Sequence, residues 1–326
     1  LDQHRGRRIV LDEIHRLGNP SELLKIAADH YPDVRIVATG SSSLGASAKF
    51  RDTLTDRKNE VWLTPMMSAD LNDFSRPSLD HRFLHGGLPP FFLTSVGAES
   101  RIQQWVDDYW AKDIQELFRL ERRSSFLKFF ELLMAASGGL FEATRFAGPC
   151  EVSRGTISNY LQVLHDTYVV HVVRPFSAHK PAEILSMPKV YAFDTGFMAY
   201  FRGWDTLRPM DRGAFWEHWV LNEIQSRFQT RRIQYWRDKQ GHEVDFVTSQ
   251  PGKPPIAIEC KWQARDLSAS GLTAFGQRYP GCQAYLVAHD VDRPFQKRVQ
   301  TLTVNVVGLE GLIEKIGSSV TPGTST

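Results

Sequence analysis

The stretch Gly241–Trp262, "GHEVDFVTSQPGKPPIAIECKW", decides how this chain is read. Its two apolar runs read as neighbouring strands of a hairpin, yet each carries charge. Strand side chains alternate between faces, so Glu243 and Asp245 are expected on one face and Val244 and Phe246 on the other. The second run follows the same rule. Ile256, Ile258, Cys260 and Trp262 share one face and leave Ala257, Glu259 and Lys261 on the opposite one. Acids and an ammonium gathered on one side of a hairpin resist dry packing, so that side is either solvated or holds a cation.

Around this hairpin the order of elements is helix ("RGAFWEHWVLNEIQSRF"), three strands ("RIQYWRD", "EVDFVT", "IAIECKW"), helix ("LSASGLTAFGQRY") and strand ("CQAYLVAHD"). This αβββαβ order resembles the core of restriction-endonuclease-like folds. The resemblance implies an acid from the first helix, an aspartate from the middle strand and a Glu-x-Lys strand converging on Mg²⁺. Glu217, Asp245, Glu259 and Lys261 stand at those positions, with Glu223 as the alternative helix acid. Asp245 and Glu259 are the implied metal ligands. Carboxylates suit a hard cation, the cation lowers the pKa of its water, and a lysine orients that water or steadies developing charge.

Toward the N-terminus, "RRIVLDEIHRL" is an apolar strand ending in Asp12 and Glu13. In P-loop nucleotide hydrolases such a strand delivers the first acid to the Mg²⁺ shell and the second to the attacking water. A second strand, "VRIVATGSSS", is expected to be buried and to end in hydroxyls; Ser41 is the candidate sensor of a γ-phosphate, with Thr39 in reserve. Arg57 could reach a phosphate or lie exposed. Together with "FRDTLTDRK", "LTPM", "FLHGGLPPFF", "DYWAKDIQELF", "MPKVYAFDTGF" and "FWEHWVLNEI", these segments resemble prokaryotic AAA-type ATPases with a C-terminal domain of unknown function. That resemblance implies a glycine-rich phosphate loop ahead of the Asp-Glu strand. No G-x-x-x-x-G-K-[ST] occurs in these residues, so ATP is expected as a cofactor only if a longer protein supplies the loop. Truncation and loss of the nucleotide site both remain open.

Between these parts, residues 124–177 read as three helices and a β-hairpin, a helix-turn-helix with a wing. Ser153 is the expected N-cap of the last helix, whose Ile157, Leu161 and Leu164 face inward. Its outward residues Arg154, Thr156, Ser158 and Asn159 are the candidates for DNA contact. The same module can serve as a protein-docking or lid element.

Bulk composition leaves these readings standing. A hydrophobic fraction of 42% and a charged fraction of 23% are globular. With 39 Lys and Arg against 37 Asp and Glu, any nucleic-acid contact must come from local clusters. Cys150, Cys260 and Cys282 form no CxxC and leave an odd count, which suits the cytoplasm. No apolar run reaches membrane-spanning length. The expected class is therefore α/β in four parts: a partial P-loop AAA-type core over 1–105, a helical, winged-helix region over 106–178, a restriction-endonuclease-like domain over 179–316, and a disordered tail over 317–326. DNA and a protein are the candidate partners.

Overall fold

The computed structural model describes residues 1–40, 54, 57–74, 78–93, 98–118, 120–177, 187–250 and 252–320. Two compact units divide the chain. One contains Leu1–Val61, Ser100–Phe129 and Ala143–Val170; the other contains Trp62–Glu99, Phe130–Glu142 and His171–Thr326.

In chain order the elements are β1 (Arg8–Leu11), α1 (Pro20–His30), β2 (Arg35–Ala38), α2 (Ser68–Asp73), α3 (Leu79–His85), α4 (Pro89–Phe92), α5 (Ala98–Tyr109), α6 (Gln115–Phe118) and α7 (Arg123–Ala135). There follow β3 (Gly139–Leu140), α8 (Ala143–Ala147), α9 (Arg154–Asp166), β4 (Val170–Pro175), β5 (Lys189–Ala192), α10 (Thr195–Phe201) and α11 (Arg212–Phe228). The last elements are β6 (Gln234–Arg237), β7 (Glu243–Thr248), β8 (Ile256–Lys261), α12 (Ser270–Arg278), β9 (Gln283–Ala288), β10 (Phe295–Val299), β11 (Leu302–Val307) and α13 (Leu309–Val320).

In the first unit β1 and β2 pair in parallel, Arg8 opposite Arg35 through Leu11 opposite Ala38. Asn19 caps α1 by accepting the N–H of Glu22, with Pro20 at the first helical position, where its missing N–H costs nothing. The expectation of buried strands fails here. Val10 is 68% and Val37 60% exposed, because among the described residues the two strands form a sheet of their own with no layer over that face. The helical part has a core instead: Trp110 lies against Phe126, Phe126 against Tyr160, and Phe129 against Phe146. The segment "EVWLTPM" forms no strand, and Leu63 is 96% exposed.

The second unit is built on a nine-stranded sheet of order β10-β11-β9-β8-β7-β6-β4-β5-β3. β8, β9 and β11 run parallel, while β6, β7 and β8 alternate in direction. Both faces are covered, which is why β8 can be a nearly continuous buried run. On one face Trp216, Trp219 and Val220 of α11 pack with Leu312 and Ile316 of α13 against Phe246, Ile258 and Val287. On the other, Leu272 and Phe275 of α12 pack against Val244, Val247, Ala257 and Leu286. Each such side chain contributes about 1.5–3 kcal/mol on burial.

Arg82 of α3 is fully buried in this unit. Its Nε donates to the Met66 carbonyl at 2.9 Å and its Nη1 to Thr195 Oγ1 at 2.8 Å, with Asp194 Oδ1 3.8 Å away and the guanidinium over Trp219.

Two local expectations change. The run 168–176 supplies one strand, β4, which pairs in parallel with β6 and has β5 as its other neighbour, so it is not a hairpin by itself. Helix α13 continues to Val320, so residues 317–320 are helical rather than part of a structureless tail, and 321–326 lie outside the described residues.

Candidate functional site

The β7–β8 hairpin departs from simple alternation at the decisive place. Against β6, Val244 faces Trp236 and Val247 faces Gln234, so β7 carries one more residue than its partner between those pairs. Such a bulge re-aims a side chain. As a result Val244 and Val247 belong to one core face and Phe246 to the other, which corrects the expected pairing of Val244 with Phe246. On the β8 side the ladder extends as far as Phe246 opposite Ile258. Past it, the N–H of Cys260 donates to Asp245 Oδ2 at 2.8 Å, so a carboxylate replaces a strand carbonyl.

Around Asp245 the structure gathers the other expected residues. Glu259 is 7% exposed; its Oε1 accepts from Lys261 Nζ at 2.7 Å, while its Oε2 is buried with no hydrogen-bond partner among the described residues. Glu217, on α11, accepts the Tyr191 hydroxyl at 2.5 Å. Burial pushes the Asp245 carboxyl above the usual range, and the Glu217 charge adds to the effect. Burial does the same to Glu259, helped by Asp245. Burial alone would lower the Lys261 ammonium, but Glu259 and Asp245 outweigh it and the net shift is upward. These directions tie Glu217, Asp245, Glu259 and Lys261 into one electrostatic cluster.

Sequence reasoning missed two members. Lys189, the first residue of β5, is 5% exposed, lies 2.5 Å from Glu243 Oε1 and 3.5 Å from Glu217 Oε1, and has its pKa raised because these acids and Asp245 outweigh its burial. The available signal was a lysine opening the run "KVYAF", which otherwise reads as fully buried. Tyr191, two residues on, was also missed; burial first and Glu217 second push its hydroxyl pKa well up.

The alternative acid, Glu223, is occupied elsewhere: it is fully buried, accepts the Ser68 N–H at 2.7 Å and pairs with Arg227 at 3.0 Å. Trp262, which follows Lys261 in the chain, stacks on exposed His289 with centroids 4.0 Å apart and planes 12° apart and has the Arg212 guanidinium over its ring.

Carboxylates are donors that suit a hard cation, Asp245 acts electrostatically on Glu259, and one buried oxygen of Glu259 has no hydrogen-bond partner among the described residues. The cage is not closed, however. Among the described residues no three His, Cys, Asp or Glu side chains converge tightly enough to hold a metal ion, and ammonium groups pair with Glu259 and Glu243.

In the other unit, Asp12 accepts the Thr39 hydroxyl, whose oxygen in turn receives the Glu13 N–H at 3.2 Å. The reserve residue Thr39 thus bridges the two acids, while Ser41 lies outside the described residues. Glu13 has a left-handed backbone (φ 51°) and lies 3.1 Å from His15 Nδ1. Arg57 donates to Asp29 at 2.7 Å. Asp12 belongs to a different unit from Asp245 and Glu259.

On α9, Arg154, Ser158 and Asn159 are exposed and Thr156 is half-buried. Ser153 caps the helix through the Thr156 N–H, and the Ser158 hydroxyl turns back to the Arg154 carbonyl at 3.1 Å.

An AAA-domain family model matches residues 1–72, a domain of unknown function (DUF8612) matches 76–208, and a second (DUF4143) matches 212–307. With its mixed α/β fold and these matches, the chain is similar to AAA-type ATPases that carry a C-terminal domain of unknown function. Its relatives include an uncharacterized protein of Mycobacterium tuberculosis and one of Mycobacterium bovis, each 26% identical over 255 residues, which are 76% of this chain and 57% of the relative. The chain therefore spans little more than half the length of these curated relatives. A solved assembly of Thermococcus gammatolerans McrB AAA+ hexamers with bound McrC aligns with TM-score 0.24 and 9% identity over 60% of this chain and 72% of that one, too slight a likeness to carry an argument. Among the described residues no helix is long and apolar enough to cross a membrane.

Proposed function

We propose that the second unit is a divalent-metal-dependent phosphodiesterase domain of the restriction-endonuclease-like type, acting on DNA within an AAA-type ATPase. The observation that carries this reading is that Asp245, bonded to the Cys260 N–H, and the Glu259–Lys261 pair lie on adjacent strands, with the Glu217 charge from the covering helix acting on Asp245 and Glu259 Oε2 buried without a hydrogen-bond partner among the described residues. Asp245 and Glu259 would hold Mg²⁺, and Tyr191 fixes the carboxylate of Glu217, whose charge acts on Asp245. When bound, the ion supplies a Lewis acid and offsets phosphate charge. Lys261 places its ammonium beside the same acids, where it orients a water or steadies charge on the phosphate.

Supporting elements belong to the same proposal. The order α7-β3-α8-α9-β4-β5, with β3 antiparallel to β5, supports a winged-helix reading, in which exposed Arg154 and Asn159 would contact DNA. Asp12 and Glu13 serve ATP hydrolysis in a longer protein that brings its own phosphate loop. Three free cysteines favour the cytoplasm.

The test is cleavage of duplex and single-stranded DNA with Mg²⁺ or Mn²⁺. Asp245→Ala and Lys261→Ala are each expected to lower the rate by about 10²-fold or more. Residual cleavage equal to wild type in both variants refutes the assignment. Lys189 favours a second reading, a non-catalytic DNA- or protein-binding module, because its ammonium already neutralises part of the cluster. Retained DNA binding without any divalent-ion binding would select it.

A further inference from the structure

The acid cluster contains more ammonium than hydrolytic chemistry needs. Lys261 alone fills the lysine role beside Glu259. Lys189 comes from a different strand, is 93% buried by side chain, and is held on two sides by carboxylates, Glu243 at 2.5 Å and Glu217 at 3.5 Å. Glu243 is itself shared with Arg237, whose Nη1 lies 3.6 Å from its second oxygen.

Burying a lysine side chain removes a strongly hydrated charge from water, and a chain tolerates it only where opposite charge replaces the water. Here the replacement is a set of acids that would otherwise repel one another: Glu217 acts on Asp245, and Asp245 acts on Glu259. The ammonium therefore does the electrostatic work that a cation would do between Glu217, Glu243 and Asp245. What it leaves over is the Asp245–Glu259 side, where Glu259 Oε2 is buried and has no hydrogen-bond partner among the described residues.

We propose that Lys189 is a resident cation that takes the place of a second divalent ion, so that the site admits one metal ion at most, on the Asp245–Glu259 side. Lys189 is thereby a positioning residue, since it fixes Glu217 and Glu243. The inference rests on the reading of the cluster as a cation site but makes a separate statement about its capacity.

Calorimetric titration of the full chain with Mn²⁺ near neutral pH tests it, using wild type, Lys189→Gln, Lys189→Met and Lys189→Arg. The expected result is one ion per chain for wild type and Lys189→Arg. Lys189→Gln or Lys189→Met is expected to bind at least tenfold more tightly or to take up a second ion. No binding by wild type but one ion in Lys189→Gln supports the resident-cation role while removing the single-metal phosphodiesterase reading. Two ions in wild type, or variants that bind no more tightly and no more ions than wild type, overturn the role and leave that reading in place. No binding by any form overturns both. Because the variants leave buried acids unpaired, circular dichroism with and without Mn²⁺ accompanies the titration. Variants that regain the folded signal only with the ion support the proposal, and variants that stay unfolded at saturating Mn²⁺ overturn it.

Discussion

His218, which follows Glu217 on α11, makes the environment of the cluster measurable through stability. It is 2% exposed, its Nδ1–H donates to the Ala214 carbonyl at 2.8 Å, and its Nε2 accepts the Ser137 hydroxyl at 2.6 Å. Both nitrogens are satisfied by the neutral ring, and burial depresses the imidazole from 6.5 to about 4. A folded-state pKa below the unfolded value means that the unfolded chain binds the extra proton between these limits. The stability from His218 is therefore present above about pH 6.5 and is lost as pH falls toward 4. At 1.36 kcal/mol per unit, lowering the pH from 7.5 to 5 removes about 2 kcal/mol, and continuing to pH 4 removes about 3 kcal/mol. Urea unfolding of wild type and His218→Gln at pH 7.5, 6 and 5, followed by tryptophan fluorescence of the Trp216–Trp219 region, reads this directly. The variant is expected to be less stable at pH 7.5, with the gap narrowing by about 2 kcal/mol at pH 5. Parallel curves for the two proteins across this range refute the argument, since the other titrating groups are common to both.

Two further outcomes follow from backbone and charge packing. A Cβ at Gly271 of α12 would fall 1.8 Å from the Glu243 carbonyl oxygen, so Gly271→Ala forces helix and strand apart and is expected to cost about 1–3 kcal/mol in thermal or urea unfolding; an unchanged midpoint refutes that close approach. Arg82→Met strips a fully buried guanidinium from Met66, Thr195 and Asp194 and is expected to cost about 3–5 kcal/mol, whereas a loss below about 1 kcal/mol would show that the pair is dispensable.

What was legible in the sequence was what local periodicity encodes. The αβββαβ order from Arg212 to Ala288 is the order found, because each element is long enough to show its own period and is bounded by turns. The association of Asp245 with Glu259 and Lys261 was legible because hairpin neighbours sit close in the chain. The bulge in β7 was not, since it arises from mismatch with β6 and leaves no mark on the period of β7 itself. Lys189 was hidden for a different reason: it reaches the cluster from β5, through the order of strands in the sheet, which no run of residues announces. Val10 and Val37 illustrate the converse. Their apolar character reads as burial, yet burial depends on a covering layer that a strand's own sequence does not specify.

The central claim is that Asp245 and Glu259 present oxygens to one divalent ion. An anomalous difference map from crystals soaked in Mn²⁺ tests it most directly. The account predicts a single peak in this cluster, within metal-ligand distance of both carboxylates and with the Lys189 ammonium still against Glu243. A cluster without a peak, or an ion bound between Glu217 and Glu243 with Lys189 displaced, contradicts it.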